Sequence, residues 1–542
     1  VASGSRSMAP RSRKLASRTS SVRSTDSSSG SRSSSPSPES LALFNSRLSL
    51  TTETREQSRV SWKRLRKQSP WLKLLKRHQR RGVEAIVSTN GFAALFAQRT
   101  GKTWVTGACL EVLKPESHDV LLVGPLTNIE STWVKFLTEK LPHYSVHRDL
   151  ASYDAHRKAH PKKFRVLALN PEAVTPIRDK LKRRKWDWMI WDEAQRLKNR
   201  SSQSSKDAYF IGRSARRRLA LTGTPMDLDP KDLWAILRFI EPHVLGTVWK
   251  DFEKHFLVEP TIDLKKKMGM VQRQKMMLAY QIAKRKAPMR EDRLDEYADL
   301  ISPHVMRISK ADAGIEPAHV HVVRFDLPDD ERARYEKLEK NMVVKVRGTV
   351  ISTPLKITQI GKLQQMTGGH IKDEDGDVHV IGTAKRRLLR RLIRKHVEPG
   401  KPFVVFCKYT WEVHMIARMI RRMGYDRVAE LWGKVKDLKK DKRRTNMLLG
   451  FQRGDYDAII CQQRTGGVGV DLYRARKFFV YSMGHSYIDY DQMLSRGDFL
   501  DQDDRADYFF PAARRSIDID IITSVRRKMS ITETFYDRLS KR

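Results

Sequence analysis

The sequence predicts an α/β protein built as two lobes of parallel sheet, with a basic helical insert between them and a disordered tail in front. Three observations predict it. Strand-sized apolar runs alternate with helical stretches in two separate blocks. The stretch between the blocks, residues 260–300, is polar, very basic and helical in period. Residues 1 to about 58 are rich in Ser and Arg and hold few large apolar side chains. A chain of 542 residues is too long for one core, and a hydrophobic content of 39% is enough for ordinary globular ones. The expected units are a tail over 1–58, a first lobe over 59–245, the insert over 246–325 and a second lobe over 326–542.

The tail, with its segment SSVRSTDSSSGSRSSSPSPES, cannot bury enough surface to fold alone. It reads as a disordered basic tail that grasps DNA without specificity, with a targeting segment as the alternative of the same composition. In the first block the runs Gly91–Phe96, Val120–Val123, Arg165–Leu169, Trp186–Trp191 and Arg218–Leu221 are continuous rather than alternating. Strands covered on both faces of a parallel sheet read this way. In the second block KPFVVFCKY, YDAIICQQ and RKFFVYS are the strand candidates. Before them Asp375-Gly376, between short apolar stretches, signals a hairpin.

Charge points to the partner. Lys and Arg number 105 against 63 Asp and Glu, a net charge of +42. Such an excess repels itself and is most simply explained by a polyanion, nucleic acid above all. The three cysteines, Cys109, Cys407 and Cys461, lie far apart, which excludes a Cys-rich zinc module or a disulfide framework and suits a reducing compartment. No apolar run is long enough to cross a bilayer.

The chemistry-bearing residues fall in two places. Thr100-Gly101-Lys102-Thr103 follows one apolar run and precedes a helical stretch, the strand–loop–helix setting of a phosphate-binding loop. Backbone N–H groups at the helix start suit phosphate oxygens, Lys102 suits the β- and γ-phosphates, and the Thr103 hydroxyl suits magnesium. Some ninety residues on, the run from Trp186 delivers Asp192 and Glu193 at its C-terminal end, where ligands sit in open α/β sheets. Asp192 is the candidate magnesium ligand and Glu193 the candidate for polarising an attacking water.

In this order the pieces resemble superfamily-two helicases of the Swi/Snf group, most closely its short phage and bacterial members, over roughly residues 70–530. Leu75 to Gln79 resembles the adenine-side glutamine motif, AQRTGKT motif I, and VGPLTNIESTWVKF motif Ia. Asp192 to Asn199 is similar to the DEAH-x-x-K-N box, with Gln195 in the His place. Leu221 to Pro225 looks like motif III. Met306 to Lys310 resembles the R-R-x-x-K element, with Met306 for its first Arg. Val404–Phe406 resembles motif IV and Gly466 to Leu472 motif V, with Asp471 for the usual Asn. Tyr490 to Gln502 occupies motif VI. There Gln492 and Arg496 are present, but Phe499 stands where the family has a second Arg, the arginine finger. Arg496, Arg464 or Arg505 is the candidate substitute.

The resemblance implies two RecA-like lobes with ATP and magnesium in the cleft between them. It places Gln79, Thr100, Gly101, Lys102 and Thr103 on ATP, Thr103 and Asp192 on the metal, and Glu193, Asp192, Gln492 and Arg496 in catalysis. It gives Thr222, Gly223 and Thr224 the coupling of nucleotide to DNA. It assigns DNA contact to Pro125, Thr127, Trp133, Gly433, Gly467 and Gly469. Further candidate phosphate grips are Arg183 to Lys185, Lys265 to Lys267, Lys284 to Lys286 and Lys385 to Arg387, each of which also reads as a solvated basic face. The expected activity is an ATP-dependent DNA helicase or translocase on duplex DNA. The expected setting is phage replication or recombination, with those proteins as partners, in the cytoplasm or nucleoid of a bacterial host. If the tail is a targeting segment, the expected place is an organelle or the nucleus. An ATP-gated DNA clamp with weak turnover, an RNA helicase and a motor subunit of a larger complex stay open, and no oligomeric state is readable.

Overall fold

A computed structural model describes residues 60–223, 230–260, 270–285, 287–346, 349–352, 356–433, 435, 443–463, 472–497 and 505–527. The tail predicted over 1–58 lies outside them. In the first lobe seven strands run β1 (Gly91–Phe96), β2 (Asp119–Val123), β3 (Tyr144–His147), β4 (Phe164–Leu169), β5 (Trp186–Asp192), β6 (Ala215–Thr222) and β7 (Val305–Ile308). Their order is β3-β4-β2-β5-β6-β1-β7, and every pairing is parallel.

The continuous apolar runs have a direct cause. Successive side chains of a strand leave opposite faces, and here each face has its own core. On β5, Met189 and Trp191 enter one core while Trp188 and Ile190 enter the other. On β1, Ala93 and Leu95 face the first, and Phe92, Ala94 and Phe96 the second. Two of the buried indoles find acceptors: Trp186 Nε1 donates to the Leu181 carbonyl at 3.0 Å and Trp188 Nε1 to Ser117 Oγ at 2.9 Å. With both faces buried, the inner strands of the sheet meet solvent at their ends. That is where the chemistry has to be.

The second lobe holds β8 (His319–Phe325), the hairpins β9 (Val343–Val346) with β10 (Thr349–Ser352) and β11 (His370–Lys372) with β12 (Val378–Val380), then β13 (Phe403–Cys407), β14 (Val428–Leu431), β15 (Ala458–Gln462), β16 (Lys477–Val480) and β17 (Asp507–Ala513). The six-stranded sheet has the order β14-β15-β13-β16-β17-β8, again all parallel. Alternate residues again feed two cores: Val404 and Phe406 one, Phe403, Val405 and Cys407 the other. The hairpin expected at Asp375-Gly376 is β11–β12, and Gly376 takes a φ of 101° there. No helix among the described residues is long and apolar enough to cross a membrane.

The boundaries expected at 245 and 325 move. Residues 246–325 do not form a unit of their own. Phe252, Phe256, Leu257, Ala287, Met289, Tyr297, Ala298 and Ile301 belong to the first lobe's core, and β7 closes that lobe's sheet beside β1. β8 belongs to the second lobe's sheet. Among the described residues, the basic helical insert shrinks to the helix Met270–Arg285.

One predicted phosphate grip is also overturned. Lys385 lies in the helix Ala384–His396 on the same face as Leu388, Leu389, Leu392 and Ile393, and is buried. Its Nζ is 2.9 Å from Asp518 Oδ2, and Asp518 Oδ1 accepts the Thr367 hydroxyl at 2.9 Å. A lysine buried in this way and paired with a buried carboxylate cannot turn outward to a phosphate. Arg387, on the same helix, is exposed. Removing one partner of a buried pair strands the other charge, at a cost of about 3–5 kcal/mol. Lys385→Ala is therefore expected to lower the thermal midpoint of the second lobe while leaving the salt slope of DNA binding unchanged. Arg387→Ala should leave the midpoint in place and reduce that slope, each lost phosphate contact being worth about 0.9. Scanning calorimetry and binding titrations across salt check both.

Candidate nucleotide cleft

The C-terminal ends of β1, β2, β5 and β6 converge on a cleft of about 600 Å³. Its walls include Gln79, Gln98, Arg99, Gly101, Lys102 and Thr103 from the first lobe's loop, Asn128 and Trp133 after β2, Asp192 and Glu193 after β5, and Ser495 and Arg496 from the second lobe. The volume lies within the range of small-molecule sites.

The phosphate loop is shaped by backbone conformation. Arg99 and Gly101 take φ of 71° and 93°, and the helix Lys102–Val112 starts directly after Gly101. The left-handed turn aims the free N–H groups of the helix's first turn into the cleft. A Cβ on Gly101 would stand 2.1 Å from Gln79 Nε2, so the position needs glycine on two counts. Gln79 Nε2 donates to the Thr100 carbonyl at 3.1 Å, its Oε1 accepts the Lys76 N–H at 2.9 Å, and His78 Nε2 lies 3.0 Å from the same carbonyl. Gln79 thus braces the loop from behind while lining the cleft. Thr100 is fully buried, and its hydroxyl donates to the Ala97 carbonyl at 2.9 Å. Its expected place on ATP is corrected: its side chain shapes the loop. Lys102 Nζ is held by the Phe96 and Ala97 carbonyls at 2.9 and 3.2 Å. Burial lowers the Lys102 pKa, opposed by the nearby charges of Glu193, Asp192 and Asp491.

The acidic pair is set by contrast. Asp192 ends β5 and is buried, with Oδ2 accepting from Trp133 Nε1 at 2.9 Å and Asn128 Nδ2 at 3.3 Å. Its Oδ1 accepts the Glu193 N–H at 2.9 Å. Burial raises its pKa, the Glu193 charge adds to this, and the Trp133 donor, Lys102 and Asn128 oppose it. Glu193 turns out of the strand with a φ of 55°. Its Oε2 accepts a short hydrogen bond from Gln195 Nε2, and Gln195 Oε1 accepts the buried Thr222 hydroxyl at 2.6 Å. The glutamine in the family's histidine place therefore ties Glu193 to the end of β6. Gly223 follows, where a Cβ would stand 3.0 Å from Gln98 Nε2.

The remaining expected site residues divide. Thr103 lines the cleft. Arg496 reaches it from just beyond the helix Tyr487–Leu494. Gln492, on that helix, is half-buried and is not part of the cleft wall. Arg505 is engaged elsewhere, in a short ion pair with Glu316. Trp133 is corrected: 2% exposed and bonded to Asp192, it cannot lie on DNA. Pro125 is buried as well, since it opens the turn that carries Asn128 and Trp133 inward, while Thr127 is half-buried. Gly433 is exposed, with its N–H on Gln462 Oε1 at 2.8 Å. Thr224, Arg464, Gly467, Gly469 and Phe499 lie outside the described residues, as do Lys265 to Lys267 and Lys286. Among the other grips, Arg183 and Lys185 are exposed, Arg184 pairs with Asp154, and Lys284 pairs with Glu253 at 3.2 Å. Sequence reasoning missed Gln98, Asn128, Asp491 and Ser495. Asn128 and Asp491 stand beside residues that were singled out, but neither belongs to a spacing that chemistry requires.

A phosphate loop on one parallel-sheet lobe, an acidic pair beside it and an arginine from a second such lobe define a two-lobed protein of the helicase type. The chain belongs to the SNF2-related family: the SNF2-related domain matches residues 37–368, and the helicase conserved C-terminal domain matches residues 384–497. It is similar to Protein CHROMATIN REMODELING 5 of Arabidopsis thaliana, 21% identical over 531 residues, which cover 91% of this chain and 29% of that protein. It is similar to ATP-dependent DNA helicase DDM1 of the same plant, 23% identical over 445 residues, 75% of this chain and 55% of that protein. The chain thus spans about a third to a half of the length of these two relatives. Among solved structures it is similar to the Sulfolobus solfataricus SWI2/SNF2 ATPase core in complex with dsDNA, with 20% identity, 85% of this chain and 96% of that one covered, and a TM-score of 0.37.

Trp133→Phe removes the donor that counters the raised pKa of Asp192. The Asp192 pKa should rise further, so the acid limb of ATP turnover should move to higher pH. Turnover measured against pH at fixed magnesium checks this; a limb that stays in place or moves down contradicts the role given to the indole.

Proposed function

We propose that the chain is an ATP- and magnesium-dependent DNA translocase that tracks on duplex DNA. One observation carries the reading: the loop of Lys102, the pair Asp192–Glu193 and Arg496 of the other lobe line a single cleft. Lobes that share a nucleotide in this way convert its binding and hydrolysis into relative movement.

The residues present fit the groups. Gly101 makes a cradle that a Cβ would fill, and the first-turn N–H groups with Lys102 suit triphosphate oxygens. Thr103 and Asp192 form the hard oxygen donor set that magnesium takes. Bound there, magnesium would neutralise charge on the phosphates. Asn128 and Trp133 hold Asp192 in place for that task. Glu193, oriented by Gln195, is placed to polarise a water. Arg496 supplies the positive charge that the family draws from its second Arg, where this chain has Phe499. Such a finger is worth roughly 10³–10⁵ in rate.

Duplex DNA as the track is supported by the charge of +42 and the order of the motifs. DDM1's name as an ATP-dependent DNA helicase supports the same reading. A role in phage replication or recombination, in bacterial cytoplasm or nucleoid, rests on the resemblance to short phage and bacterial members alone.

Hydrolysis measured with no nucleic acid, single-stranded DNA, duplex DNA and RNA tests the proposal, and duplex DNA is expected to stimulate most. Glu193→Gln should keep ATP binding and lose turnover, and Lys102→Ala should lose binding. Equal or greater stimulation by RNA, or normal turnover in Glu193→Gln, would overturn it.

A further inference from the structure

A second cluster of ligating side chains stands at the outer edge of the second lobe's sheet, apart from the residues that line the cleft. The edge strand β8 begins His319-Val320-His321-Val322. Residues two apart on a strand leave the same face, so both imidazoles stand on one side. β17 pairs with β8 in parallel, with Asp507 opposite His319 and Phe509 opposite His321. The Asp507 carboxylate therefore faces both rings: Oδ1 is 2.8 Å from His321 Nε2 and 3.6 Å from His319 Nδ1. One ligating atom from each of the three side chains lies within 4.8 Å of the others. Ligands about 2.0–2.2 Å from a tetrahedral ion stand roughly 3.3–3.6 Å apart. The separations bracket that value, so modest side-chain rotation brings all three to one point.

We propose that His319, His321 and Asp507 form a binding site for one divalent transition-metal ion of the zinc class. Supporting contacts hold the ligands in position. Lys477 Nζ binds the other carboxylate oxygen, Oδ2, at 2.6 Å, which leaves Oδ1 for the rings and the ion. The His321 ring stacks on Phe509 at 4.8 Å between centroids. Such contacts to ligands fix their orientation and tune affinity. The two rings are 50% and 45% exposed, so the ion reaches the site from solution. Two neutral imidazoles and one carboxylate suit zinc, cobalt, nickel or copper, whereas magnesium takes oxygen ligands. The site is thus chemically distinct from Thr103 and Asp192.

The surroundings set the affinity. Lys477 and Arg505 place positive charge nearby, and Arg505 Nη1 donates to His319 Nε2 at 3.0 Å. That contact keeps the ring proton on Nδ1, the nitrogen facing Asp507. An ion on Nδ1 requires the proton on Nε2, and hence the loss of the Arg505 contact. Arg505 retains Glu316 as its partner. The ion and Arg505 therefore compete for His319, and a bound ion would tie the outermost strand to its neighbour.

Calorimetric titration of the full chain with zinc chloride, in excess magnesium, tests the proposal. The wild type should show one site that is lost in H319A/H321A and weakened about tenfold or more in Asp507→Asn. Arg505→Ala should bind zinc more tightly. The thermal midpoint of the wild type should rise with zinc, and that of H319A/H321A in EDTA should match the wild type in EDTA. If that double variant unfolds early, His321→Gln replaces it, with the same loss expected. Unchanged zinc stoichiometry and affinity in the histidine variant, or weaker binding in Arg505→Ala, would overturn the site.

Discussion

The arrangement of the cleft depends on one buried carboxylate. Asp192 sits at the end of the central strand, where a sheet covered on both faces first meets solvent, and a carboxylate so placed needs donors. It takes them from the turn after β2: the indole of Trp133, the amide of Asn128, and then the Glu193 N–H. Those bonds pull the turn inward and bury Pro125 and Trp133. The same strand end throws Glu193 into a left-handed conformation, out of the sheet and toward Gln195. The position of Asp192, the orientation of Glu193 and the path of a neighbouring loop thus share one electrostatic cause.

From that point the second connection runs through neutral groups. Gln195 donates to Glu193 and accepts from Thr222, so the ends of β5 and β6 are joined by an amide that carries no proton to lose. A histidine in this place would add a titrating group between the Glu193 carboxylate and β6. The second lobe enters the cleft through Ser495 and Arg496, and the Asp491 charge acts on Lys102. The cleft is therefore walled by residues of both lobes.

Much of this was legible in the sequence, and the failures have physical reasons. The inner strands of the first lobe are continuous apolar runs because two cores demand it; β1 runs over Gly91–Phe96 as expected. The edge strands β3, β7, β8 and β14 were not found, because a strand with one neighbour is short or partly exposed, and β8 reads as alternating polar and apolar residues; the inner strand β17, whose apolar run is broken by Pro511, was missed as well. Lys102, Thr103, Asp192 and Glu193 stood out because phosphate and magnesium chemistry fixes their types and spacing. Trp133 was misplaced because its partner is 59 residues away. Lys385 was misread as one of a basic run, although its spacing to Leu388, Leu389 and Leu392 carries the signal of a buried helix face.

Arg496 is the second lobe's cation at the cleft in a chain that has Phe499 where the family has its second Arg. Turnover of Arg496→Ala with saturating duplex DNA, beside its ATP affinity, tests whether that cation acts on the nucleotide. Affinity is expected to change little while the rate falls by roughly 10³ or more. Turnover equal to wild type would show that Arg496 does not act on the nucleotide, and that the meeting of the lobes is not the catalytic site.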